Sequence, residues 1–90
     1  MTNEFKLIES LMYVQGIRGI GPSDLKAITE MSVPDARNML KEFAKEYNDS
    51  DRGLMVVEFN DLFKFATREE FKDDISKLVT IIRKRKLSNS

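Results

Sequence analysis

Leu54-Met55-Val56-Val57-Glu58-Phe59-Asn60-Asp61-Leu62-Phe63-Lys64-Phe65-Ala66 is the stretch whose reading decides the fold. Upstream of it, apolar residues recur every three or four positions. Within it they follow a period of two, which marks extended chain. Two short strands are predicted, Leu54–Phe59 and Leu62–Ala66, joined by Asn60-Asp61. A type I′ turn suits those two residues, although Asn-Gly would be the stronger signal. The resulting register sets Leu54, Val56, Phe63 and Phe65 on one face. It sets Met55, Val57, Phe59, Leu62, Lys64 and Ala66 on the other. The first face reads as core, and the second is unusually apolar for a side facing water. A lone hairpin is marginal in water, so the core face must close over helices.

Upstream, three helices are predicted. The first, Glu4–Gln15, carries two apolar stripes where a surface helix needs one. Phe5, Ile8 and Met12 form one stripe, and Leu7, Leu11 and Val14 the other. Together they span roughly half the circumference, against about 100° for a helix buried on one side. Such a helix needs more than one neighbour. Phe5, Ile8 and Met12 are expected in the domain's own core. The last helix is the expected cover for Leu7, Leu11 and Val14, with a partner as the alternative. Gly16 suits a left-handed C-terminal cap, and Gly16, Gly19 and Gly21 mark an irregular loop. The second helix starts near Pro22, whose fixed φ fits the first helical position, with Gly21 or Ser23 as its cap. Leu25, Ile28 and Met31 form its apolar face. Ser32 is placed to cap the third helix by accepting from the Asp35 N–H. That helix runs to about Tyr47, with Ala36, Leu40, Phe43 and Tyr47 at helical spacing. A polar loop, Asn48–Gly53, follows.

Downstream, Thr67-Arg68-Glu69-Glu70 reads as a capping box that opens the last helix. Phe71, Ile75, Leu78 and Ile82 make its apolar stripe, Val79 widens it, and Ile81 lies off it. Acidic residues near its start and Arg83 to Lys86 near its end complement the helix dipole. Leu87–Ser90 reads as a linker or a frayed end. The fold class is therefore α+β, mostly α: a winged helix-turn-helix of three helices, a two-stranded wing and a C-terminal helix. Residues 1–82 form the winged-helix domain, and 83–90 the basic helix end and start of a linker.

Ninety residues make one domain with one modest core. Fifteen basic and fifteen acidic residues balance to zero net charge, which suggests neither disorder nor a strongly basic nucleic-acid binder. The chain has no cysteine and no histidine, so it lacks thiolate zinc ligands and the commonest general base. No catalytic, cofactor or metal site is predicted, and the acidic clusters Glu69-Glu70 and Asp73-Asp74 read as helix-start charges. No apolar run is long enough to span a membrane. The N-terminus lacks the pattern of a secretory signal, so a cytosolic protein is expected.

Two sets of candidate contact residues emerge. Arg37, Lys41 and Lys45 form a basic stripe on the third helix, the one that enters the major groove in DNA-binding winged helices, and Asn38 lies beside it. Asp35, Glu42 and Glu46 interleave with them, so the face carries no net charge, whereas phosphate binding needs an excess of positive charge. The apolar surplus supplies the other set: Leu7, Leu11 and Val14 on the first helix, Phe59 and Leu62 on the wing, and Ile81 on the last helix. A contiguous apolar patch of that kind marks a surface for self-association or for a partner.

Several segments carry a family resemblance: Leu7-Ile8-Glu9-Ser10-Leu11-Met12-Tyr13-Val14-Gln15-Gly16, Asp24-Leu25-Lys26-Ala27-Ile28, Met31-Ser32, and Arg52-Gly53-Leu54-Met55-Val56. Phe63-Lys64-Phe65-Ala66-Thr67-Arg68-Glu69-Glu70-Phe71 and Lys84-Arg85-Lys86-Leu87-Ser88 continue the series. In this order and spacing the chain resembles the N-terminal winged-helix domain of segregation and condensation protein B, ScpB. Two features depart from that family: Asn60-Asp61 stands where glycine is usual at the wing turn, and a second winged helix does not follow. The resemblance implies a non-enzymatic subunit of the bacterial chromosome condensation complex, cytoplasmic and nucleoid-associated. It also implies a homodimer that binds a kleisin, segregation and condensation protein A, and through it a structural-maintenance-of-chromosomes ATPase; the zero net charge of the third helix leaves direct DNA contact weak or none. The alternative reading is a DNA-binding transcriptional regulator that uses Arg37, Asn38, Lys41 and Lys45.

Overall fold

The computed structural model describes residues 1–88, with side chains placed as far as Arg85. Helix α1 spans Asn3–Gln15, α2 Pro22–Ile28, α3 Val33–Asp49 and α4 Lys72–Ser88. Strands β1, Leu54–Phe59, and β2, Leu62–Thr67, form the wing. One-turn 3-10 helices at Gly16–Arg18 and Glu69–Phe71 link these elements. Local chemistry explains most of the boundaries. The Thr2 hydroxyl accepts from the Phe5 N–H at 3.2 Å and starts α1. Gly16, at φ 59°, ends α1 in a conformation that glycine adopts without steric cost. At α2 the expected cap is Gly21, whose N–H donates to the Asp24 carboxylate at 2.8 Å. Ser32 caps α3 as expected, accepting from the Asp35 N–H at 3.3 Å.

The core gathers Ile8 and Met12 from α1, Leu25 from α2, Ala36, Leu40, Phe43 and Tyr47 from α3, and Val56 and Phe63 from the wing. A run of aromatic contacts ties three elements together. Phe5 meets Phe43 edge-on with centroids 5.5 Å apart, Phe43 meets Tyr47 at 5.6 Å, and Tyr47 meets Phe65 at 5.1 Å. Ile20 is a core residue that lay hidden in a glycine-rich loop. Its N–H and carbonyl pair with the carbonyl and N–H of Phe63, at 2.9 and 2.7 Å.

The wing pairs in the expected register, Phe59 with Leu62 through Leu54 with Thr67. Asn60 and Asp61 both have positive φ, 52° and 65°, as a type I′ turn requires. This register makes Val56–Phe65 and Glu58–Phe63 non-hydrogen-bonded pairs, so the backbone groups of Val56 and Phe63 face outward from the sheet. Ile20 satisfies those of Phe63. Asn48 satisfies those of Val56, with Nδ2 donating to the carbonyl at 3.0 Å and Oδ1 accepting the N–H at 2.7 Å. Each edge of the sheet is thus met at one residue by the chain's own groups.

Four expectations are corrected. The Thr67 capping box does not open the last helix: Thr67 is the last residue of β2, opposite Leu54, and the 3-10 turn starts after Arg68 with no side-chain cap. Of the expected face Leu25 is buried and Met31 packs against the core, but Ile28 is exposed where α2 ends. α3 runs two residues beyond Tyr47, to Asp49. Most important, among the described residues α4 makes no substantial contact with α1 or with the rest of the body. Among the described elements its one substantial neighbour is the 3-10 turn before it. The structure measures 50 × 29 × 24 Å, the length of an arm projecting from a small body. Helix α4 passes residue 82, the expected domain boundary, without a break; 89–90 of the expected linker lie outside the described residues.

Candidate partner-binding surfaces

Because α4 does not lie on α1, the second stripe of α1 splits. Leu7 and Leu11 are half-buried, and Leu11 packs against the core. Val14 is 79% exposed, beside Tyr13 at 81% and Ile17 at 90%. Val14 stands on a ridge between two hollows. One, of about 250 Å³, lies between α1 and α2 and is lined by Leu11, Val14, Ile20, Ala27 and Ile28, with Gln15 and Asp24 at its rim. The other, of about 430 Å³, lies between α1 and the wing and is lined by Glu9, Ser10, Tyr13, Val14, Tyr47, Leu54 and Phe65. Exposed Tyr13 and Ile17 were not among the expected contact residues. Their positions at the end of α1, next to glycine, held the signal.

The outer face of the wing forms a second apolar surface. Phe59 is 70% exposed and Leu62 is exposed, while Met55 and Val57 behind them are half-buried. The third is the arm, where Phe71, Leu78, Val79, Ile81 and Ile82 are all exposed. The predicted contact residues Val14, Phe59, Leu62 and Ile81 therefore lie at the surface, on three separate faces, and the structure does not bring them into one patch.

The polar candidates are arranged differently. Arg37 is not directed outward: Nε and Nη2 grip the Asp61 carboxylate in a two-pronged contact, with Nη2–Oδ2 at 2.8 Å. This hydrogen bonding, with Coulombic help from Arg37 and Lys41, holds the Asp61 carboxyl below its usual range. The wing turn is thereby tied back to α3. Asn38, Lys41 and Lys45 remain exposed. Lys45 borders a hollow of about 490 Å³ that also carries Glu42, Glu46 and Asp49. Three carboxylates against one ammonium repel phosphate there. The face that would enter a DNA groove therefore lacks the charge to do so.

Three helices, a tied-back two-stranded wing and a projecting fourth helix define a winged-helix domain that turns apolar rather than basic faces outward. The chain belongs to the ScpB family: residues 6–90 match the family model described as Segregation and condensation complex subunit ScpB. It is 45% identical to segregation and condensation protein B of Mycoplasma mobile over 86 residues, which is 94% of this chain and 45% of that protein. To the Oceanobacillus iheyensis protein of the same name it is 33% identical over 89 residues, 98% of this chain and 46% of that one. The chain thus spans about half the length of the curated relatives it matches. Its fold is similar to that of a solved dimer of ScpB N-terminal domain complexed with ScpA peptide. The TM-score is 0.72 at 26% identity, over 82% of this chain and 85% of that one. No described helix is long and apolar enough to cross a membrane.

Proposed function

We propose that this chain is a dimerising, ScpA-binding scaffold domain of the bacterial chromosome segregation and condensation complex, working in the cytoplasm at the nucleoid and performing no chemistry of its own. Residues 1–82 make the winged-helix unit, and 83–90 lead out of it. The observation that carries this reading is the likeness to an ScpB N-terminal domain solved as a dimer with ScpA peptide. The physical basis is the apolar surplus. A specific interface buries about 1,200–2,000 Å² in total, and the end of α1, the outer wing face and α4 together offer apolar surface on that scale. Val14, Phe59, Leu62 and Ile81 are the contact residues, with Leu7 and Leu11 supporting Val14 from beneath. Binding of ScpA, the kleisin, at the α1–α2 hollow and the wing connects this domain to the structural-maintenance-of-chromosomes ATPase.

Size-exclusion chromatography with light scattering, on the chain alone at micromolar concentration, tests the dimer. Calorimetric titration with ScpA of the same genome tests the partner. A dimer that binds ScpA, with binding weakened by Phe59→Asp, is the expected result. A strict monomer, or a dimer that ScpA does not touch, overturns the corresponding half of the proposal.

A further inference from the structure

α4 is the least explained element of the fold. A helix of 17 residues reaches about 25 Å, and here almost none of that length is covered by its own domain. Its exit is nevertheless directed. Arg68, immediately before the 3-10 turn, donates Nη2 to the Asn48 carbonyl at 3.4 Å and Nε to the Arg52 carbonyl. The chain is anchored to the end of α3 at the point where it leaves the wing, so the arm is aimed outward. Phe71, Ile75, Leu78 and Ile82 run along one side of it, and an apolar stripe on a projecting helix needs cover.

We propose that two copies of this chain pair through these arms, antiparallel about a two-fold axis, stripe against stripe. This rests on the dimer reading above and specifies how the dimer is built. Charge favours the antiparallel order. Glu70, Asp73 and Asp74 stand at the start of the arm, and Arg83 and Lys84 stand near its end. Antiparallel pairing sets each acidic start against the partner's basic end and aligns opposite ends of the two helix dipoles, whereas parallel pairing stacks like on like. Area then decides how far the contact extends. At about 80–100 Å² for each half-exposed large side chain, the two four-residue stripes bury at most about 640–800 Å², short of the roughly 1,000 Å² that a specific interface needs. More apolar surface lies at the base of the arm. Thr67 pairs with Leu54, and Leu54 lines the hollow that holds Tyr13 and Val14. An antiparallel partner arm runs on towards that hollow, where Glu9 among the lining residues offers its basic end an opposite charge. The same patch serves both copies, as a closed two-fold dimer requires.

The chain has no cysteine, so engineered ones report cleanly. The Phe71→Cys and Ile82→Cys variants of the 90-residue chain are mixed, oxidised and run without reductant. The mixture is expected to yield a cross-linked dimer, and Ile82→Cys alone is not. Leu78 is 54% exposed and lies near the middle of the stripe, so Leu78→Lys is expected to leave the fold of the body intact, with an unchanged circular dichroism spectrum. It should weaken dimerisation at least 30-fold, roughly the loss that marks a central contact. A wild-type dimer that forms no mixed cross-link and survives Leu78→Lys overturns arm pairing while leaving dimerisation standing. Cross-linking of Ile82→Cys with itself overturns the antiparallel order. A wild-type monomer overturns both this inference and the dimer reading beneath it.

Discussion

Asn48→Ala is expected to loosen the wing from the body without touching its core. The Asn48 amide holds both backbone groups of Val56, the N–H at 2.7 Å and the carbonyl at 3.0 Å, and Val56 itself is buried. Removing the amide deletes two hydrogen bonds worth about 1 kcal/mol each. It also leaves a donor and an acceptor at a half-covered edge where water replaces them only in part. The expected loss is about 2–3 kcal/mol. For a domain of this size each kcal/mol lowers the melting temperature by about 4–8 °C, so the variant should melt about 10–20 °C below the parent. Circular dichroism melts at one fixed protomer concentration measure this, because association would otherwise shift the transition. Asn48→Asp keeps the acceptor for the Val56 N–H but opposes the carbonyl with a negative charge, and should be no better than alanine. A melting temperature for Asn48→Ala within a degree or two of the parent would refute the argument that the sheet edge is held through this side chain.

Gly19 has φ 72°, and a Cβ there would stand 2.8 Å from the Phe63 carbonyl oxygen. Gly19→Ala should therefore cost about 2–4 kcal/mol in urea unfolding by forcing the Ile20–Phe63 bridge apart, while Gly53→Ala, whose added methyl meets nothing within 4 Å, should be near neutral. Because Arg37 lowers the Asp61 pKa, the stabilisation from their contact is present above the ordinary value of 3.8 and is lost as pH falls through the lowered one. The urea midpoint of the parent should exceed that of Asp61→Asn at pH 7, and the gap should close below about pH 4; a gap that does not change with pH counts against the pair. In electrophoretic shift assays at physiological salt the chain should show no sequence-selective DNA binding. Selective binding that disappears with Arg37→Ala and Lys41→Ala would reverse the reading of α3.

Local chemistry was legible wherever a short motif acts on its own neighbours. The Ser32 cap, the Gly16 terminus and the Asn60-Asp61 turn all form as their residue types require, because each involves groups within a few positions of one another. The core stripes of α1 and α3 and the hairpin register followed from periodicity alone. Motifs failed where a distant partner competed for the same residue. Thr67 has the pattern of a cap, yet it extends β2 opposite Leu54, and the 3-10 turn starts only after Arg68. Arg37 has the spacing of a phosphate contact, yet the Asp61 carboxylate, 24 positions away, claims it.

The amino-acid sequence by itself determined the order of elements, the faces that form the core and the apolar surplus that marks a binding module. Those properties depend on side-chain period and backbone preference, which are written locally. Only the tertiary structure decided that Ile20 and Asn48 meet the two sheet edges, that the wing turn is tied to α3, and that α4 stands off the body with its stripe uncovered. Each of these depends on the direction in which one element leaves another. That direction is set by long-range contacts such as those of Arg68 with the end of α3, which no local period records.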